Sequence, residues 1–478
     1  MLAVLISLCS LLSGTPVSAY VPVLIQSDTV TMDSIRYYQV GKIVIVGNEK
    51  TKKNIILREM TVESGDVYES HELNLVLEAD RRKIMNTRLF NSVKITVLPV
   101  YNNKTDILIE VSERWYTFPV PIFSLADRNF NDWLQNQGGD FSRVSYGLKL
   151  YQNNTRGRNE RLRLDAQFGF TKRFAIAYEM PYIDKSQRHG LNIAAQYAQN
   201  KNVAYRTLDH VAQFLDDDNV LLTRRFLRLG YTFRNSFYIR HNVDISYNSN
   251  DIADTLLLES PNYFNDSSMK QKYFSITYQF VIDRRDLFAY PLNGHYFQAF
   301  IRKEGLGLYK DLDRTEIILR YTNYSPLGKE YYFSNYSAAY LSVPEDQPYS
   351  TLSALGYSSD YVRGYELYLI EGQHLLLNRS TIKKKIFSTD FYAGFMPAEQ
   401  FRRIPISIYL KTYFDMGYAR NYEFYEQEGF NTRLSNKFLF GTGIGLDFVT
   451  FYDAVFRLEY SFNGEKEGGF FLNFKKEF

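Results

Sequence analysis

From Trp115 to the C-terminus, apolar and polar positions alternate with a period of two. Leu162, Leu164, Ala166, Phe168 and Phe170 alternate with Arg161, Arg163, Asp165, Gln167 and Gly169. Phe274, Ile276, Tyr278 and Phe280 alternate with Tyr273, Ser275, Thr277 and Gln279. Phe438, Phe440, Ile444, Leu446 and Phe448 are interleaved with Lys437, Gly441, Gly443, Gly445 and Asp447, and the last segment sets Phe470, Leu472, Phe474 and Phe478 on one face. This is the signature of a strand with one apolar and one polar face. About sixteen such strands succeed one another: 115–125, 142–152, 159–170, 172–181, 189–200, 221–234, 237–249, 270–283, 293–304, 312–324, 330–343, 373–386, 404–418, 436–450, 452–463 and 468–478. An even count suits a bacterial transmembrane barrel. The connections after odd-numbered strands include the long ones, 201–220, 250–269 and 344–372, and those after even-numbered strands are mostly short. Parity therefore predicts that the long loops lie together, on the side opposite whatever precedes the first strand. The predicted fold is an all-β transmembrane barrel, because a soluble sandwich would not need apolar residues on the outward face of every strand.

Upstream, the period changes. Residues 20–38 read as a polar linker, and Lys42 to Val46 as a strand closed by a turn at Gly47-Asn48. Thr51 is placed to cap a short helix containing Ile55, Ile56 and Leu57. After Gly65-Asp66, Ser70 is placed to cap a longer helix with Leu73, Leu75, Val76, Ile84 and Met85 as its apolar positions. Val93 to Leu98 and Asp106 to Val111 read as a hairpin around Tyr101-Asn102-Asn103. The predicted order is β-α-α-β-β, a small α/β module over residues 39–114 preceding a barrel over 115–478.

Composition sharpens this picture. Aromatic residues make up 16%, with 40 Tyr and 36 Phe, and mean hydropathy is −0.32. Strands that show lipid only alternate residues dilute the apolar signal in this way. A net charge of +3 without long like-charge runs gives no support to nucleic-acid binding. Cys9 is the only cysteine, so disulfides and cysteine-ligated zinc are excluded. His71, His189, His210, His241, His295 and His374 are scattered and read as polar surface or lumen residues. Residues 1–19 read as a signal peptide, with an apolar run from Leu2 to Leu12 and small residues at Val17-Ser18-Ala19, although no Lys or Arg precedes the run. After it, no stretch of about 18 apolar residues remains, so any membrane span is made of strands. There is no G-x-S-x-G elbow, phosphate loop or HExxH. The chain is read as a non-enzyme without cofactor or metal.

The small module, with Val46-Gly47-Asn48, Gly65-Asp66, Leu89-Phe90 and Ile107 to Glu110, resembles a POTRA domain, the periplasmic polypeptide-transport module. The connection between the eleventh and twelfth strands contains Val362-Arg363-Gly364-Tyr365, and the thirteenth strand contains Tyr413-Phe414-Asp415-Met416-Gly417. Together with Asp283-Arg284-Arg285-Asp286, Pro291, Gly294 and the terminal Phe478, these segments resemble the BamA/TamA family of outer-membrane assembly factors and their transporter relatives. In that family a V-R-G-[F/Y] tip sits on a loop folded back into the barrel. The resemblance implies that Arg363 pairs with Asp415, with Tyr413 and Gly417 on the same lumen face. A guanidinium can grip a carboxylate through two hydrogen bonds, which suits such an anchor. Gly441, Gly443 and Gly445 would leave room for the returning loop. The resemblance also implies that Phe470, Leu472, Phe474 and Phe478 form a C-terminal recognition signal at the barrel seam. Two features depart from the pattern. Only one POTRA-like module fits before the barrel, and the acidic residue often found on the twelfth strand is replaced near Asn378 to Ser380.

The function that the resemblance implies is that of an outer-membrane insertase or translocase with its N-terminal domain in the periplasm. Its partners would be unfolded outer-membrane or secreted polypeptides, outer-membrane lipid, and periplasmic or lipoprotein accessory subunits. A dedicated exporter of one secreted partner and a passive structural pore are the rival readings.

Overall fold

A computed structural model describes residues 37–99, 101, 104–125, 141–356, 360–396, 401–450 and 452–475. The leader, most of the linker and Phe478 lie outside the described residues. The small domain runs β1 (Tyr37–Val46), α1 (Lys53–Leu57), β2 (Val67–Glu69), α2 (Ser70–Met85), β3 (Phe90–Val97) and β4 (Lys104–Glu113). Its sheet order is β2-β1-β4-β3, with β1 parallel to β4. The order expected from sequence omits β2, which is too short to show a period, and starts β1 too late. Ile55, Ile56, Leu73, Leu77, Ile84, Ile107 and Ile109 form the core beneath the two helices. The predicted caps are corrected. Lys52 and Glu69 occupy the cap positions, and neither helix has a side-chain cap. The Thr51 hydroxyl instead sits 3.1 Å from the Tyr116 hydroxyl and accepts from Asn154 Nδ2 at 2.9 Å.

The rest is a sixteen-stranded antiparallel sheet. Its strands are β5 (Thr117–Leu125), β6 (Val144–Thr155), β7 (Glu160–Gly169), β8 (Lys172–Met180) and β9 (His189–Asn200), then, after a separate hairpin of β10 (Asn202–Leu208) and β11 (Val211–Asp216), β12 (Leu222–Arg234), β13 (Ile239–Ile252), β14 (Lys270–Asp283), β15 (Gly294–Glu304), β16 (Arg314–Gly328) and β17 (Tyr331–Val343). After two short strands in a loop, β18 (Ala354–Leu355) and β19 (Ile370–Glu371), come β20 (His374–Tyr392), β21 (Arg403–Arg420), β22 (Phe438–Val449), β23 (Val455–Asn463) and β24 (Gly468–Lys475). Each consecutive barrel strand pairs with the next, so the sixteen strands read from the alternation are the sixteen of the sheet. The faces separate cleanly. On β21, Tyr409, Lys411, Tyr413, Asp415 and Ala419 are buried inward, while Leu410 and Phe414 are exposed outward. β5 and β24 stand at the two ends of the strand order, and no backbone pair joins them among the described residues.

The predicted strand ends are least accurate at β20, which runs on to Tyr392 rather than stopping at 386. A bulge between Lys385 and Phe387 breaks the alternation there.

The small domain packs on the turns that come after even-numbered barrel strands. Glu59 holds Arg234 through two bonds of 2.7 and 2.8 Å. Lys52 N–H donates to the Gly157 carbonyl at 3.0 Å, and Arg114 pairs with Asp453 at 2.8 Å. The Asn86 amide donates to the Asp286 carbonyl at 3.2 Å. The segments 201–220, 250–269 and 344–372 therefore lie at the other end of the sheet. They carry structure of their own, the β10–β11 hairpin, a helix α3 (Asp254–Glu259) and β18–β19.

Candidate functional site

The loop joining β17 to β20 returns into the lumen. Its centre is Arg363, 8% exposed, beside Asp415, which is fully buried. Arg363 Nε donates to Asp415 Oδ2 at 2.8 Å and Nη2 to Oδ1 at 2.6 Å. The Arg363 backbone N–H adds a third bond to Oδ2 at 3.0 Å. The guanidinium lies 3.7 Å from the centre of the Tyr413 ring. Three strands of the same wall thus contribute, because Nη2 also donates to Thr381 Oγ1 on β20 at 3.1 Å and Nη1 is 3.6 Å from Glu459 Oε1 on β23. The second carboxylate comes from β23 rather than from the twelfth barrel strand, where Thr381 supplies a hydroxyl.

The flanking residues lock the backbone. Val362 and Tyr365 are buried in a cluster with Leu355, Ile370, Leu375, Leu377, Leu434 and Leu439. The Tyr365 hydroxyl accepts from the Gly464 N–H at 3.1 Å, and Asn463 Nδ2 donates to the Gly364 carbonyl at 2.9 Å. Gly364 has φ +95°, a conformation natural to glycine. A β-carbon at Gly441 would fall 1.9 Å from the Arg363 carbonyl oxygen, and one at Gly417 would fall 2.3 Å from Val362 Cγ2. Gly441 thus makes room for the loop. Gly443 and Gly445 do not, because their space is taken by Tyr413 and Lys411 of the wall.

Further anchors escaped sequence reading. Asp360 is held by the Tyr336 and Tyr340 hydroxyls and by Arg320 Nη2, the last at 2.9 Å. Glu371 accepts from Thr207 Oγ1 at 2.9 Å and from the Tyr425 hydroxyl at 2.7 Å. These partners are far apart in sequence and carry no motif. The β10–β11 hairpin crosses to this loop. His210 at its tip is buried, accepting from the Leu434 N–H at Nε2, 2.9 Å away, while Asn431 receives its own N–H at 2.9 Å. Burial first, then the nearby Arg433 charge, lower the His210 pKa to about 4. The reading of His210 as a surface or lumen residue is corrected by this position.

Lys411 continues the site along the wall, bridging Asp447 at 2.5 Å and Glu459, the carboxylate that faces Arg363, at 2.8 Å. Tyr290, from the turn after β14, reaches in to donate to Asp447 at 2.8 Å. Asp283 and Arg285 pair with each other at 2.6 Å. On β24, Phe470 and Leu472 are exposed outward, and Phe474 pairs in backbone register with Phe456. No group of side chains suited to a metal occurs among the described residues.

Known proteins share these parts. Residues 38–114 match the POTRA family, described as a surface antigen variable number repeat, and residues 154–475 match the Omp85 superfamily domain. The outer membrane protein assembly factor BamA of Nitratidesulfovibrio vulgaris is 28% identical over 76 residues, which is 16% of this chain and 9% of that relative. Two solved structures share the fold. BamA from Haemophilus ducreyi lacking POTRA domains 1–3 aligns with TM-score 0.50 and 14% identity, covering 92% of this chain and 82% of that one. CdiB from Escherichia coli aligns with TM-score 0.54 and 12% identity, covering 91% and 75%.

Proposed function

The chain belongs to the Omp85 superfamily, and on that premise we propose that it inserts or translocates unfolded polypeptides at a bacterial outer membrane, with its POTRA domain in the periplasm. The observation that carries this reading is the Arg363 anchor. It ties the lumen loop to β20, β21 and β23, the wall leading to the end of the sheet at β24. A loop fixed to that wall is placed to couple the state of the lumen to the end of the sheet. Strand edges exposed to lipid are costly, so a client strand is best received by exchanging one pairing for another. The POTRA sheet would offer incoming chain a tolerant edge, because backbone donors and acceptors are common to all sequences. The partners are unfolded outer-membrane or secreted polypeptides, lipid, and periplasmic or lipoprotein accessory subunits.

The test is reconstitution of the full chain in liposomes with a urea-unfolded outer-membrane protein as client. Faster appearance of the client's folded, heat-modifiable form supports insertion, and Arg363→Ala slows it. Client recovered inside the vesicles instead moves the function to export. Ion conductance with no effect on any client would leave only a pore.

A further inference from the structure

Two barrel strands run past the rim formed by their neighbours. β17 pairs with β20 only as far as Lys384, and β22 pairs with β21 only from Ser407. Beyond those points, residues 386–392 and 403–406 form a two-stranded ribbon held by its own ladder, with Thr389 opposite Ile406 and Phe391 opposite Ile404. Among the described residues no strand pairs with its outer edges. Past the bulge at Lys385/Phe387, Phe387 stands opposite Ile408 and shares its face. The ribbon's outward face is therefore Phe387, Thr389, Phe391, Ile404 and Ile406, apolar apart from Thr389 and in line with Leu410 and Phe414 of the lipid-facing wall. The inward face is polar, with Ser388 Oγ and Ser407 Oγ 3.0 Å apart and Asp390 paired to Arg403 at 2.5 Å. Ile386, Phe387, Phe391 and Tyr392 are about half exposed or more, and Phe395 at the tip is 79% exposed.

Lipid tails cannot cover all of this face. A tilted barrel strand climbs about 2.5 Å per residue along the barrel axis. The outward row from Ile404 to Tyr418 therefore spans about 35 Å, against an apolar band about 25 Å tall. Counted from the aromatic pair Tyr418–Phe438 at the far end, the band ends near Ile408. Phe391 and Ile404 stand about 10 Å beyond it. The ribbon's returning end is also placed. Phe401 stacks on Tyr452 at 5.2 Å and lies 6.4 Å from Trp115, just before β5. The ribbon thus approaches the side of the rim where the sheet begins.

An open backbone edge, an apolar row outside the lipid and a position beside the end of the sheet share one explanation. We propose that the ribbon of residues 386–392 and 403–406 is a docking strip for an extended polypeptide with alternating apolar side chains. The segment adds as a strand to the edge at 386–392 and sets its apolar side chains beside Phe387 and Phe391. This rests on the insertase or translocase reading and names a place where the client first binds.

The test uses the full chain in phosphatidylethanolamine/phosphatidylglycerol nanodiscs. The probe is a fluorescent peptide with the sequence of residues 468–478, an alternating strand of the kind expected in a client. A benzophenone side chain at position 391 should crosslink to the peptide, whereas one at position 414 should crosslink to lipid. The double variant Phe391→Ser/Ile404→Ser should bind the peptide roughly tenfold more weakly, with unchanged heat-modifiable mobility. Crosslinks from 391 only to lipid, as from 414, or undiminished binding by the double variant, would overturn the proposal. Client insertion by the unaltered chain is measured in parallel. Insertion without peptide contact at 391 removes the docking strip alone, and peptide contact without insertion or transport removes the functional reading alone.

Discussion

Replacing Arg363 by alanine strips Asp415 of two charged bonds, at 2.8 and 2.6 Å, and of the guanidinium stacked on Tyr413. Asp415 keeps only the backbone N–H of residue 363, so a fully buried carboxylate is left almost uncompensated. Breaking one half of a buried ion pair costs about 3–5 kcal/mol. Glu459 is spared, because Lys411 still holds it at 2.8 Å, and the surviving backbone bond argues for the lower end. About 3 kcal/mol shifts the docked-to-released equilibrium of the loop roughly 150-fold. The barrel should still form, since its ladders do not involve Arg363. The assay is maleimide labelling of a cysteine at Val362, buried when docked, alongside heat-modifiable mobility as the check on folding. Labelling should be fast in Arg363→Ala and slow otherwise. Arg363→Lys should fall between, keeping charge but losing the fork and the stacking. A double-mutant cycle with Asp415→Asn should return a coupling of about 3 kcal/mol. A coupling below about 0.5 kcal/mol, or an unlabelled Val362→Cys site in Arg363→Ala, would refute the anchor.

Three other outcomes are expected. Burial of Glu366 raises its carboxyl to about 7, so the docked loop holds a proton that the released loop gives up near its ordinary, lower pKa. Docking should weaken as pH rises from about 4.5 through 7, and Glu366→Gln should flatten that dependence in the same labelling assay. His210 has the opposite sign. It must be neutral to accept the Leu434 N–H, so the hairpin latch is complete above pH 6.5 and lost as pH falls toward 4; proteolysis within 202–216 should rise over that window and become pH-independent in His210→Ala. Finally, Gly441→Ala places a β-carbon against the Arg363 carbonyl and should cost loop docking about 1–3 kcal/mol, whereas a change at the loop's exposed Leu367 should not alter Val362→Cys labelling.

Period-two alternation was enough to find all sixteen barrel strands, because one side of each strand meets lipid and the other a polar lumen, and that contrast is written residue by residue. The small domain's helices were legible through their apolar spacing, although Leu57 and Leu75 are exposed and Leu77 is buried instead, whereas their caps were not. Thr51 has the right chemistry for a cap but is claimed by Tyr116 and Asn154 across the domain boundary. The Arg363 and Asp415 motifs could be named from sequence only through their resemblance to the BamA/TamA family, since neither composition nor period marks them. What only the tertiary structure decided is which distant groups complete the site. Glu459, Thr381, Asp360 and His210 carry no local signal, because their roles arise from strands and loops 18 to 224 residues apart meeting across the lumen. The ribbon beyond Lys384 belongs to the same class. A bulge inverts the faces there, so the alternation that reveals the barrel stops where the strands go on.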